Sequence, residues 1–266
     1  MNAKDKAVVV PPSANVPATQ GFMEDLGQSG FENVRPEDIA IPFIRVLQSN
    51  SPQCHGPTKL PGAVAGEFYN TVTHVRYKDH ITVIPCAFQK VYIEWVPREQ
   101  GGGFVKEHID SAILNGTKKN EKNVDVLPNG NLIVPTAKHW CLLVKEDGGF
   151  ERIVLSMTST QLKKSRNWLS QMLSLQVSYN GKKFTPPMYS HSYAISAVEE
   201  SNDRGSWYGY IVGNPVLYAQ EPKNVELYQD AKKFYSDVTS GAVKSAAPVE
   251  SDVAVGVDTS KAAEHF

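Results

Sequence analysis

Histidine, cysteine and carboxylate side chains do chemistry when their spacing gathers several of them at one site, and this sequence spreads them out. Cys54-His55 is one adjacent pair, and His74 and His80 form another, with no third ligand at a metal-binding interval. There is no CxxC pair, no HExxH, no GxxxxGK[ST] phosphate loop and no GxGxxG after a strand. Gly101-Gly102-Gly103 could approach a phosphate, but no helix follows it to supply oriented N–H groups, so it reads as a loop. The expectation is a protein that is not an enzyme and holds neither a metal nor a cofactor.

What does accumulate is a combination of rings and cations. Over residues 81–104 (ITVIPCAFQKVYIEWVPREQGGGF), alternation puts Phe88, Lys90 and Tyr92 on one side of a strand, with Arg98 just beyond. Val91, Ile93 and Trp95 take the other side and are assigned to the core. Tyr189, His191 and Tyr193 share the parity of a later strand, and Lys163, Lys164 and Arg166 cluster on a helix that also carries Trp168. Rings beside cations suit single-stranded nucleic acid, whose bases stack on aromatic faces while its phosphates meet lysine and arginine. They also suit ordinary strands, because aromatic residues favour pleated surfaces and lysine snorkels out of apolar ones.

The elements that must position these groups are mostly strands. Residues 1–34, broken by Pro11, Pro12 and Pro17, read as a flexible arm. Pro42 limits 39–47 to a short helical turn and an edge strand. Strands are expected over 68–75 and 81–96, a long loop over 99–135, and a hairpin of 138–145 with 150–156 about Asp147-Gly148-Gly149. Thr158 and Gln161 read as a capping box opening a helix whose apolar face is Leu162, Leu169, Met172 and Leu173. Strands over 189–198 and 207–217 and a helix over 223–238 follow. Residues 239–266 read as a disordered, mildly acidic tail. The expected fold class is mainly β (α+β): an OB-like antiparallel Greek-key barrel over 35–238, with one inserted helix, extra N-terminal strands and a C-terminal helix. A β-sandwich is the alternative.

Composition narrows the classes further. Hydrophobic residues make up 41% and charged residues 21%, as in globular proteins. No apolar run is long enough for a membrane helix, and no signal-peptide pattern opens the chain, so no membrane partner is expected. The three well-separated cysteines fit a reducing cytosol. A net charge of -1 creates no global basic field. The distribution is uneven, however: residues 81–218 carry 15 Lys and Arg against 12 Asp and Glu, and residues 241–266 carry 2 against 4.

The stretches IAIPFIRVLQSNSP (39–52), GEFYNTVT (66–73), ITVIPCAFQKVYIEW with the following GGGF (81–104) and STQLKKSRNWLSQM (159–172) resemble a group of bacteriophage proteins described as single-stranded DNA-binding proteins. The resemblance implies an OB-like core and DNA binding with little sequence preference. It also implies a role in phage replication or recombination, in the cytoplasm of the infected host. The expected nucleic-acid contacts are Phe88, Lys90, Tyr92, Arg98, Lys163, Lys164, Arg166, Tyr189 and Tyr193. Phage single-strand binders tend to end in an acidic tail closed by phenylalanine. Phe266 keeps that ring as an expected contact for replication or recombination proteins, although this tail is much less acidic than the pattern. A capsid-associated structural protein of the virion is the second expectation, because arms around a β core can order against neighbours.

Overall fold

The computed structural model describes residues 30–35, 38–202 and 205–248. The chain enters through the short strands β1 (Ala40–Ile41), β2 (Phe43–Val46), β3 (Phe68–Asn70) and β4 (Arg76–Tyr77). The long strand β5 (His80–Trp95) reverses into β6 (Phe104–His108). Two-residue strands β7 (Lys118–Lys119) and β8 (Asp125–Val126) lead to β9 (Leu132–Val144), which forms a hairpin with β10 (Phe150–Thr158). The barrel helix (Gln161–Ser174) and a small hairpin, β11 (Val177–Tyr179) with β12 (Lys182–Phe184), follow. Strands β13 (His191–Asn202), β14 (Gly205–Val212) and β15 (Val216–Leu217), the C-terminal helix (Val225–Thr239) and β16 (Lys244–Ser245) complete the described fold.

Five of these strands carry the OB-like order. β5 pairs antiparallel with both β9 and β13, β9 with β10, and β13 with β14. The spatial order β13-β5-β9-β10 is that of a Greek key, in which a fourth strand returns beside the first. The barrel helix lies between β10 and β13, where the expected architecture puts it. β2 is the departure. It was expected at an edge, yet it lies between β10, to which it runs parallel, and β3. All four of its residues are buried. Pro42 allows this because it precedes the strand and does not interrupt it; its carbonyl accepts a hydrogen bond from the Val154 N–H at 2.9 Å.

β14 curls back toward β2 without forming a backbone ladder with it. Gln48, just past β2, substitutes for one. Its side-chain amide donates to the Tyr208 carbonyl at 2.9 Å and accepts from the Tyr208 N–H at 2.7 Å. Gln161 accepts from the Tyr210 N–H at 2.9 Å, and Lys164 donates to the Tyr210 carbonyl at 2.7 Å. Side chains thus satisfy backbone groups along an edge that would otherwise template aggregation. Gly209 sits between these contacts, and a Cβ there would lie 2.6 Å from the Gln161 amide nitrogen, so a larger residue would push the Gln161 side chain aside. The expected capping box of Thr158 and Gln161 does not form, because the helix opens only at Gln161, which directs its amide to β14.

Packing falls into two layers. Alternate residues of β9 point to opposite faces, and both faces are buried. Cys141 and Leu143 join Ile153 and Leu155 of β10 and Tyr193 and Ile195 of β13 inside the curl. Trp140 and Leu142 face outward onto Ala231, Phe234 and Val238 of the C-terminal helix. The barrel helix adds Trp168 and Met172 to the interior, whereas Leu173, expected on its apolar face, is 71% exposed. A bulge in β5 between Pro85 and Ala87 turns Ile84, Cys86 and Ala87 all toward the outer layer. Parity flips there, so Phe88 points back inside.

Other boundaries move for local reasons. The strand expected over 68–75 stops at Asn70, whose carboxamide oxygen accepts from the N–H groups of Val72 and Thr73 at 2.9 Å and turns the chain. The expected loop over 99–135 is largely structured: positive φ angles at Gly101, Gly102 and Gly103 let β6 fold back onto β5. Past the expected boundary at 238, β16 pairs parallel with β1, and Val243 is buried. Most of the expected arm (1–29) and tail (249–266) lies outside the described residues.

The interior also holds a polar group. His139 is fully buried between the rings of Phe88 (5.2 Å) and Trp168 (4.5 Å), with Nε2 at 2.8 Å from Ser165 Oγ. Burial pushes its pKa down to about 3.

Two expectations follow. Gln48→Ala leaves both Tyr208 backbone groups without their partner, and should lower stability by about 1–3 kcal/mol in urea denaturation. An unchanged urea midpoint would show that the seam does not depend on Gln48. In the folded protein His139 stays neutral down to about pH 3, while in the unfolded chain it takes up a proton near its ordinary value of about 6.5. The unfolded state therefore binds more protons within that window, so stability falls as pH drops from about 6.5 toward about 3. His139→Gln should flatten this limb relative to the unsubstituted protein, as read by thermal melts across pH.

Candidate nucleic-acid interface

The nine expected contact residues do not share one surface. Lys90 and Arg98 are exposed along β5 and just beyond it, and Lys163 and Arg166 are exposed on the barrel helix. Phe88 is half-buried against His139. Tyr92 is buried, flanked by His108 of β6 and Pro135 of β9. Tyr189 lies in a 3-10 turn before β13, where its ring packs on Tyr228 (5.5 Å) and Tyr235 (5.7 Å) of the C-terminal helix.

Two assignments are corrected outright. Tyr193 is fully buried and packs edge-on against Trp168 at 5.5 Å, so no base can reach it. Burial pushes its pKa up to about 12, and its hydroxyl has no hydrogen-bond partner. Lys164 pairs with Glu200 and bonds the Tyr210 carbonyl, so its charge is already engaged by the barrel seam. Trp168, on the same helix, turns inward and is 1% exposed. The core assignment of Val91, Ile93 and Trp95 holds, since the three form one buried cluster with Leu132 and Val134.

The outer face of β9 and β10 is the surface on which OB-folds commonly hold oligonucleotides, and here it is covered. The C-terminal helix sets Phe234 against Trp140 at 6.2 Å, and Asp237 pairs with Arg152 at 3.0 Å. Lys138, buried on the same face, donates to Glu107 of β6 and to Ser245 of β16. A ligand on this face would have to displace a packed apolar layer.

The described fold leaves a different surface open. Between Glu151 and Glu199 the sequence has six Lys and Arg residues and no Asp or Glu, a signal legible in the sequence that whole-chain charge conceals. Arg152 and Lys164 are engaged as above. Lys163, Arg166, Lys182 and Lys183 are exposed and have no carboxylate partner among the described residues. Lys182 and Lys183 lie on β12, beside Tyr179 of β11, which is 71% exposed.

Burial pushes the Cys86 thiol up to about 12 and the Cys141 thiol upward as well, so both behave as small apolar groups. Glu94 is the most elaborately held carboxylate. Burial raises its pKa, but hydrogen bonds from Asn131 and His108 outweigh that and hold it below the usual carboxylate range. His74 shares a short hydrogen bond with Tyr69, and no group of three or more His, Cys, Asp or Glu among the described residues is placed to hold a metal ion. Phe266 lies outside the described residues.

Connectivity and surface together define a mainly β protein of OB-like order with a helix-covered outer face and four exposed cations in a segment whose sequence has no carboxylate. The family model described as Pam3 phage gp34-like protein matches residues 6–244, and the chain belongs to that bacteriophage protein family. No curated protein and no solved structure matches the chain.

Because the Tyr193 hydroxyl is buried without a partner, Tyr193→Phe removes an unsatisfied group and keeps the ring. It should leave stability unchanged or raise it by about 1 kcal/mol in urea titrations. Oligonucleotide binding should be unaffected; a clear loss of binding by a folded variant would restore Tyr193 as a contact.

Proposed function

We propose that this protein binds single-stranded DNA with little sequence preference, as a non-enzymatic component of phage replication or recombination in the host cytoplasm. The observation that carries the reading is the cationic flank: Lys163, Arg166, Lys182 and Lys183 stand in a segment without a single carboxylate, next to an exposed tyrosine. Cations without local partners are available to phosphates, and an exposed ring is available to a base. OB-like connectivity supports the same reading, because OB-folds recurrently bind single strands.

Titration of a fluorescent oligo-dT strand at two salt concentrations tests the proposal. Four phosphate contacts give a slope of log affinity against log salt of roughly -3, at about -0.7 per contact on single strands. Absence of binding at low salt would end this reading. The second reading, a virion structural component, would then be tested by looking for the protein at fixed stoichiometry in purified particles.

A further inference from the structure

The hairpin β11–β12 has no role in the core, yet its turn is tightly specified. Asn180 and Gly181 both take positive φ, 49° and 73°, as a two-residue type I′ connection requires. At its base Gln176 donates to Thr185 Oγ1 at 3.1 Å. The ladder register pairs Tyr179 with Lys182 and Val177 with Phe184. Directly opposed residues share a face, so Tyr179, Lys182 and Phe184 stand together, with the two rings on a diagonal of about 7–8 Å. Ser178 and Lys183 take the reverse face. Tyr179 is 71% exposed and Phe184 45%. Two rings left in water on an isolated ribbon bury too little to stabilise the fold, since a two-stranded hairpin is marginal by itself.

We infer that this hairpin is the stacking platform for unpaired bases, an inference that rests on the single-strand-binding reading and gives it a location. Tyr179 and Phe184 supply the planes, and Lys182 and Lys183 meet the phosphates on either side. The exposed stripe of the barrel helix, Lys163, Arg166, Ser170 and Leu173, shares one helical face and leads along the chain toward the hairpin. Charge selects the partner: no carboxylate lies between Glu151 and Glu199 in the sequence, and Glu200, which meets the barrel helix, is paired with Lys164, so the exposed cations favour a polyanion. The rings select the single strand, because duplex pairing hides the base faces that they would cover.

The test compares the full chain with Tyr179→Ala/Phe184→Ala and Lys182→Gln/Lys183→Gln in oligo-dT anisotropy titrations. All four positions are exposed, so the urea midpoint should stay unchanged. Loss of both rings should weaken binding at least tenfold with an unchanged salt slope. Loss of both lysines should weaken binding and make the slope shallower by roughly 1.4. Tyr179→Trp should retain binding, and its added fluorescence should quench on saturation. If the unsubstituted protein binds and the ring variant binds equally well, the hairpin assignment is overturned while the function stands. If the unsubstituted protein does not bind, the function itself falls. Binding to anionic phosphatidylserine vesicles in place of the oligonucleotide, abolished by the same variants, would overturn the inference in favour of a membrane surface.

Discussion

The carboxamide of Gln48 closes a gap that backbone pairing leaves open. β2 lies against β10, in the position a closing barrel strand would need, so the far end of the sheet, β14, returns to face a seam without a ladder. A carboxamide carries one donor group and one acceptor, as a peptide does. Gln48 uses both on Tyr208, and Gln161 and Lys164 repeat the arrangement on Tyr210 from the barrel helix. The same three side chains therefore shield the edge, anchor the helix and fix how far the sheet curls. The helix held there by Gln161 and Lys164 places Trp168 and Met172 in the interior. The hairpin β11–β12 follows that helix directly, so its placement depends on the same seam.

A second consequence concerns which faces remain for a partner. The sheet is buried on both sides over much of β5, β9 and β10. Inside, Phe88, His139, Trp168 and Tyr193 form a continuous run of ring contacts. Outside, the C-terminal helix is held by Phe234 on Trp140 and by Arg152, which pairs with Asp237 while its guanidinium lies 4.8 Å from the Phe234 ring. Rings placed on long strands by this chain are therefore packing groups first. Surface remains where the chain leaves the double layer, on the barrel helix and on the ribbon after it.

This division explains which parts of the molecule were legible in the sequence. Alternation marked the long strands, and Asp147-Gly148-Gly149 marked the β9–β10 hairpin, because those signals are local. Whether a given parity faces water is a tertiary property, and a strand buried on both faces makes the alternation uninformative. Tyr193 shows this: it lies on the expected strand but faces the interior, while Tyr189, assigned to the same face, precedes the strand and packs in the outer layer. Phe88 adds a second obstacle, since the bulge at Pro85 and Ala87 reverses parity with no strong sequence mark beyond the proline. Lys163 and Lys164 are identical in type and adjacent, yet one helical step carries the first into solvent and the second onto Glu200. Asn-Gly pairs favour tight hairpin turns, but the three-residue strands flanking Asn180-Gly181 are too short to display a period, so this hairpin leaves little pattern in the sequence.

Charge gives the remaining connection between fold and partner. A net charge of -1 argues against nucleic acid only if cations and anions are mixed uniformly. In the described fold they are sorted. Arg76 pairs with Glu67, Lys119 with Asp125, Lys138 with Glu107, Arg152 with Asp237 and Lys164 with Glu200. Each pair is nearly neutral beyond a Debye length, about 10 Å at moderate salt, and adds little to a field felt by an approaching polyanion. Lys163, Arg166, Lys182 and Lys183 have no such partner, so their contributions are not cancelled locally. These four exposed charges make a local cationic contribution that the total does not reveal. A chain of almost zero net charge can therefore present a cationic flank without the self-repulsion that a globally basic protein carries.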